Sequence, residues 1–350
     1  MVRRLSVLDQ SPIAAGSTGA AALHQSIDLA RHVESLGYHR YWVAEHHGTP
    51  MLASAAPEAL IGPIASATSN LRVGSGGIML PHYSPLKVAE TFSMLSGIYP
   101  HRIDLGIGRA PGSDPLTAFA LQRDRRQAAP DDFPEQLTEL LAYFHNALPP
   151  QHQFSRLALL PGRPELPEVW LLGSSPQSGI WAAELGLPYA FADFINPNGA
   201  EIVARYREEL RTQNPGNPEN PKNPKNPEPA TRNPLRVIVC TWALCAETDE
   251  AAERLGASAR MAFAKMLQGQ SIPVPPVDEA VHFLSANREA ASALVRRRRW
   301  IVGSPAKVRT GIEALADEYG ADEVMIVTIT HDHDARRRSY ALIARAFGLS

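Results

Sequence analysis

The sequence predicts a closed (β/α)8 barrel with its chemistry gathered at one end. Three observations predict it. Eight short segments rich in Val, Ile and Leu recur along the 350 residues and read as parallel strands buried on both faces. Helical periodicity fills most of the gaps between them. Glycine, serine, histidine and acidic residues follow directly where the strands end, which in a barrel brings distant polar groups to one rim. A doubly wound open sheet is the competing fold. It would need a strand–GxGxxG–helix fingerprint, and Gly74, Gly76 and Gly77 have the wrong spacing for one.

The first strand is LSVLD (5–9), closed by Gln10, Ser11 and Pro12. A helix over 20–36 follows, with Leu23, Ile27, Ala30 and Val33 on one side and Gly37 to stop it. YWVA (41–44) is the second strand and runs into Glu45, His46 and His47. A helix covers 57–68. The third strand, LRVGSGGIML (71–80), stops needing side chains at Gly74, Gly76 and Gly77, and glycine there lets backbone approach something flat or charged. Ser84 and Pro85 open a helix whose buried side is Val88, Phe92 and Leu95. HRIDLGIGR (101–109) is the fourth strand, ending in Gly108 and Arg109.

A polar loop with Gly112, Ser113 and Asp114 follows, then a helix over 132–146 and an irregular, Pro-rich stretch over 151–167. VWLL (169–172) is the fifth strand, closing on Gly173, Ser174 and Ser175, and Pro176 starts the next helix. YAFA (189–192) is the sixth strand, ending at Asp193, with a helix over 199–212 after it. An Asn-Pro pair then recurs every third residue from Asn214 to Pro227, and Asn233-Pro234 closes the run. Proline removes the backbone donor and pushes the preceding residue to extended angles. Residues 213–234 therefore read as a flexible, low-complexity surface insertion within one barrel domain spanning 1–350. LRVIVC (235–240) begins the seventh strand; helices over 249–268 and 278–299 follow, with a hinge at 273–276. A helix over 304–319 ends before Gly320, EVMIVTI (323–329) is the eighth strand, and the last helix runs over 335–347.

A hydrophobic fraction of 44% and a charged fraction of 20% are those of a soluble globular protein. A net charge of -2 gives no reason to expect nucleic acid or an anionic membrane as partner. No apolar run is long enough to span a bilayer, and the N-terminus enters a strand without a signal-peptide core. Cys240 and Cys245 are five apart on one strand and so face opposite sides, which argues against a mutual disulfide and fits a cytoplasmic location.

On the rim, GSSPQS (173–178) offers free helix-start amides and serine hydroxyls to an anion, or is simply a helix cap made by Ser175. Arg109 is a cation for the same anion or half of a surface ion pair. His46 and His47 are adjacent on an extended segment, so they point apart and cannot easily share a metal ion. His331 and His333 are better placed to chelate, yet no set with recognised zinc spacing accompanies them, and no metal is expected. A lone neutral imidazole beside a reactive ring is a general acid or base near pH 7. Arg296 to Arg299 read as a solvated helix face or an ion-pair network.

The pieces LDQSP (8–12), YWVAEHH (41–47), VGSGGIMLPHYSP (73–85), RIDLGIGR (102–109) and VMIVTITHDH (324–333), in this order and spacing, resemble the bacterial luciferase-like flavin monooxygenases. The resemblance runs from Leu5 to Phe347 and is similar to the subgroup that tailors aromatic polyketides. It implies a luciferase-like (β/α)8 TIM barrel using reduced FMN, delivered by a separate flavin reductase and oxidised by O2, on a small organic substrate. Carried over, His46 matches the active-site histidine and Gly76-Gly77 a non-prolyl cis peptide behind the isoalloxazine ring. Arg109, Ser175 and Ser178 match phosphate ligands, and Asp9, in the first motif, joins the cofactor-binding set. Gly108 stands where the luciferases carry a reactive cysteine, which argues against light emission from a long-chain aldehyde. Relatives are often homodimers. Two other classes compete: a sister oxidoreductase transferring hydride with the deazaflavin coenzyme F420, and a non-catalytic flavin-binding protein or metal-dependent barrel hydrolase using His331, His333 and Asp193.

Overall fold

The computed structural model describes residues 4–109, 114–122, 125–127, 131–157, 166–213, 236–287 and 299–349. Nine strands form one parallel sheet: β1 (Arg4–Asp9), β2 (Arg40–Val43), β3 (Arg72–Met79), β4 (Ile103–Gly108), β5 (Glu168–Gly173), β6 (Tyr189–Ala192), β7 (Val237–Cys245), β8 (Trp300–Gly303) and β9 (Glu323–Val327). β1 to β7 pair in sequence order, β7 pairs with β9, and β9 returns to β1. The eight strands expected from the sequence thus close the barrel, with helices between most of them.

Alternation along β7 shows why these strands look apolar throughout. Val237, Val239, Ala243 and Cys245 pack outward against the helices. Ile238, Cys240 and Trp242 pack inward with Leu8, Trp42, Trp170 and Met325. Both faces are buried, so no polar alternation survives. The two cysteines fall on opposite faces as the odd spacing requires, and both are free thiols.

The N-terminal ends of the strands carry a charge network instead of an open pocket. Arg40, fully buried, donates Nε to Glu323 and Nη1 to Asp104, each at 2.7 Å, with its guanidinium over the Trp170 ring. Arg72 bonds Asp104, Arg236 bonds Glu168, and Trp42 Nε1 donates to Asp104 at 2.9 Å. Glu323 also accepts from Ser6 Oγ. Burial opposes ionisation of Asp104, but Arg72 and Arg40 outweigh it and hold its carboxyl below the usual range.

The structure differs from the sequence reading in four places. β8 is an added strand. It pairs with the second half of β7, from Trp242↔Trp300 to Cys245↔Gly303, beyond the point where β6 ends at Ala192↔Cys240. Four residues following an arginine run carry too weak a pattern to read as a strand. The helix expected over 278–299 is Val277–Ala286, and 288–298 lie outside the described residues. Residues 273–276 are no hinge: Val274 is buried and exchanges backbone hydrogen bonds with Ile13 and Ala15, both at 2.8 Å. The polar loop after Arg109 contains a helix, Pro115–Leu121, started by Asp114 Oδ1, which accepts from the amides of Leu116 and Thr117. Of the Asn-Pro insertion placed at 213–234, residues 214–234 lie outside the described residues. No helix among the described residues is long and apolar enough to cross a membrane.

Candidate active site

The C-terminal tips of the strands are tied into one rim. The Ala44 amide donates to the Asp9 carbonyl at 2.9 Å, linking the ends of β1 and β2. Glu45, 1% exposed, joins β2 to β3: one carboxylate oxygen accepts from the Met79 amide at 2.9 Å, the other pairs with His47 Nε2 at 2.7 Å. The tips of β3, β4 and β5 then crowd together. A side chain at Gly77 would stand 2.4 Å from Leu172 and 2.8 Å from the Gly106 carbonyl, so only glycine fits. The peptide between Gly76 and Gly77 is cis.

His46 follows β2 directly. Its amide donates to Ser54 O at 2.9 Å, which fixes the backbone. The ring is half-buried, and Nδ1 is enclosed with no partner among the described residues. Burial, then the nearby His47, pushes its pKa down to about 4. It is therefore neutral at pH 7, with a ring nitrogen able to take or give a proton.

At the tip of β5, Ser175 begins the helix Pro176–Glu184. Ser175 and Ser178 form a capping box, and Ser178 Oγ is bound by Ser175 O at 2.7 Å and Tyr189 OH at 2.8 Å. Ser178 is 7% exposed and faces inward, so its hydroxyl shapes the turn before it can touch any ligand. Arg109, one strand away, lays its guanidinium over the Trp181 ring of that same helix, 5.4 Å from the centroid. Among the described residues its ion partner is an exposed Asp131 at 3.8 Å, a pairing too loose and wet to hold it back from a bound anion.

Asp9 departs from the expectation that it touches a cofactor. Its carboxylate is fully buried, accepting from the Ser11 amide at 2.8 Å, from Tyr41 OH and from Arg336. Burial raises its pKa, but Arg336 and the hydrogen bonds win and keep it ionised below the usual range. It braces the rim from beneath. His331 and His333 are also committed, to Ala15 O at 3.2 Å and Asp28 at 2.8 Å, while Asp193 is held by Tyr319 OH at 3.0 Å and Arg299 at 3.3 Å. Among the described residues no three His, Cys, Asp or Glu side chains are grouped to hold a metal ion. Arg299 also pairs with Glu318, while Arg296 to Arg298 of that run lie outside the described residues.

The rim also holds residues that no motif marks. Phe194, Trp242, Phe263 and Trp300 form one aromatic group after β6 and on β7, β8 and the helix Asp249–Leu267. The only signal for them in the sequence is the residue type, because their partners are 21 to 58 positions apart and come together only when the barrel closes.

The free helix start at Ser175, a bed of bare backbone at Gly76 and Gly77 and the imidazole of His46 all follow strand tips at one end of the barrel, and such residues would fit a flat, phosphate-tailed flavin or deazaflavin. That is the frame of a cofactor-dependent barrel enzyme. The chain belongs to the luciferase-like monooxygenase family, which it matches over residues 4–323. It is 41% identical to the solved structure of apo-MsnO8, with a TM-score of 0.86 and 99% of both chains covered. It is 39% identical over 339 residues to a luciferase-like monooxygenase of Escherichia coli (96% of this chain, 95% of the relative). It is 35% identical over 343 residues to the N-acetyl-S-alkylcysteine monooxygenase of Bacillus subtilis, covering 98% of each.

Proposed function

We propose that the protein is a flavin-dependent monooxygenase that uses reduced FMN and O2 on a small organic substrate, with the reduced flavin supplied by a separate reductase. The observation that carries this reading is the enclosed, unpartnered Nδ1 of His46 on the same rim as the Ser175 helix start and Arg109. Reduced FMN, when bound, supplies the electrons with which O2 is activated. Ser175 and the free amides of the first helical turn hold its phosphate, with Arg109 adding charge; Ser178 sets the turn. Gly76 and Gly77 let the ring lie against backbone. Asp9 positions the rim by holding Tyr41 and Arg336. The inward cluster of Leu8, Trp42 and Trp170 excludes water from below. His46 keeps a proton-accepting nitrogen at the ring's side near neutral pH.

The names of the two relatives above, both monooxygenases, support oxygen chemistry. We place the reaction in the cytosol, where reduced flavin and free Cys240 and Cys245 both persist, and expect a homodimer. Reduced deazaflavin would use the same bed and anion site, so the test separates the two cofactors. Anaerobic titration with reduced FMN and with reduced F420, followed by admission of O2, should give tight FMN binding and oxygen uptake above that of free reduced FMN when substrate is present. Preference for F420 with no oxygen uptake overturns the proposal.

A further inference from the structure

We propose that the groove between the first and last helices, on the outer wall of the barrel, is an anion site of its own and takes a small phosphate ester or pyrophosphate. It is built from other elements than the strand-tip rim and does not depend on what the rim binds.

The last helix, His333–Phe347, is held to the barrel by its buried residues Arg336, Ser339, Tyr340, Ile343 and Ala344. Asp334, Arg337, Arg338, Ala341, Leu342 and Arg345 recur three and four apart and so share a second face. That face runs beside the first helix, Gly19–Ser35, and with His32 it bounds a cavity of about 240 Å³. Ala341, with only a methyl group, leaves the middle of the stripe open. Leu342 is partly buried and packs back against the core.

Three guanidiniums and one carboxylate line this cavity. Arg337 Nε is enclosed and makes no hydrogen bond among the described residues. Asp28 stands 3.4 Å from it, but Asp28 is already taken by His333 Nε2 at 2.8 Å. Asp334 lies 3.8 Å from Arg337 Nη1 and is well exposed, a pairing worth little. Arg338 uses Nε on Glu247, which leaves its two terminal nitrogens. No carboxylate among the described residues pairs with Arg345. Asp28 and Glu247 approach the guanidiniums from outside the cavity, since neither lines it. His32 donates Nε2–H to the Arg337 carbonyl at 3.1 Å, and burial holds its pKa below the ordinary value. It is a neutral wall at pH 7, so the cavity keeps an excess of positive charge.

The residue type narrows the ligand. Each guanidinium presents a planar fork of donors that fits phosphate or carboxylate oxygens two at a time. A carboxylate has two oxygens in one plane and is served by one fork. Arg337 and Arg338 stand on one turn and Arg345 two turns on, about 10 Å along the axis, with Ala341 between. Forks arriving from both ends suit a group with oxygens on several sides, as phosphate has. The cavity is smaller than the roughly 300–1,000 Å³ that encloses a drug-sized molecule, so the ligand is small.

The test is isothermal titration of the full chain at low ionic strength with pyrophosphate and with malonate, a dicarboxylate of similar reach. Wild type should take up pyrophosphate with half-saturation below about 1 mM and bind malonate at least ten-fold more weakly. Arg337→Gln/Arg345→Gln should weaken pyrophosphate about ten-fold or more, the effect of losing one charge-assisted contact. Arg109→Ala, the control for the strand-tip rim, should retain this site within two-fold. If the double variant does not fold, Arg345→Gln, at an exposed position, should still weaken pyrophosphate at least three-fold. No pyrophosphate binding, equal binding of malonate, or affinity unchanged in the Arg337 and Arg345 variants overturns the proposal. Binding lost in Arg109→Ala instead places the anion at the rim and overturns it too.

Discussion

The two ends of the barrel use polar groups in opposite ways. At the floor, Arg40, Arg72 and Arg236 meet Asp104, Glu168 and Glu323 in buried ion pairs, with indoles covering the guanidiniums. At the mouth, His46 Nδ1 and the indole donors of Trp242 and Trp300 are enclosed without partners among the described residues, and Arg109 is half-exposed with a loose ion pair to Asp131. The floor's charges are paired with one another by the fold itself, although Arg40 Nη2, Arg236 Nε and Trp170 Nε1 there lack a hydrogen-bond partner among the described residues, so they report on stability. The mouth's groups are held in place but left unsatisfied, so they report on a ligand.

The contrast would break first at Arg40. Arg40→Met leaves two buried carboxylates without their shared counter-charge and should cost about 3–5 kcal/mol in a denaturant melt. A loss under about 1 kcal/mol would mean that the floor is not holding the barrel closed. At the mouth, His46→Asn should cut turnover by roughly 10²–10⁴ while leaving FMN affinity within about three-fold, checked by steady-state oxygen uptake and flavin titration. Unchanged turnover removes His46 from proton transfer.

Arg109→Ala should weaken FMN by about 1.5–3 kcal/mol, the usual worth of a hydrogen bond to a charged group, with no comparable loss of stability. The smallest effect is on acid stability. The pKa of His46 drops from its unfolded value of 6.5 to about 4 in the fold. Between those values the unfolded chain binds a proton that the folded one refuses, so stability falls as pH drops from 6.5 toward 4. Discounted for partial exposure, this amounts to about 1–2 kcal/mol. Urea melts at pH 7 and pH 4.5 should show wild type losing that much more than His46→Asn; equal losses would mean that the ring is better solvated than its setting indicates.

What the sequence revealed follows the same division. All eight ring strands were legible because parallel strands buried on both faces are apolar throughout, and glycines and serines at their ends marked the rim. The places of His46, Ser175 and Arg109 at the strand tips were legible because each lies within three residues of its strand's end. The position of Asp9 on the rim was legible but its pairing was not, since Arg336 lies 327 residues away. β8 escaped because its four residues pair with a part of β7 that only exists once β6 has ended. The aromatic group escaped because single aromatics in unrelated segments carry no spacing to read.

The most direct measurement of the central claim is an equilibrium titration of the wild-type protein with FMN and with riboflavin, the same ring with and without its phosphate. The account expects FMN to bind at least about ten-fold tighter, a difference in the range of one charge-assisted contact, and expects Arg109→Ala to erase most of that margin. Equal affinities, or no flavin bound at all, would contradict it.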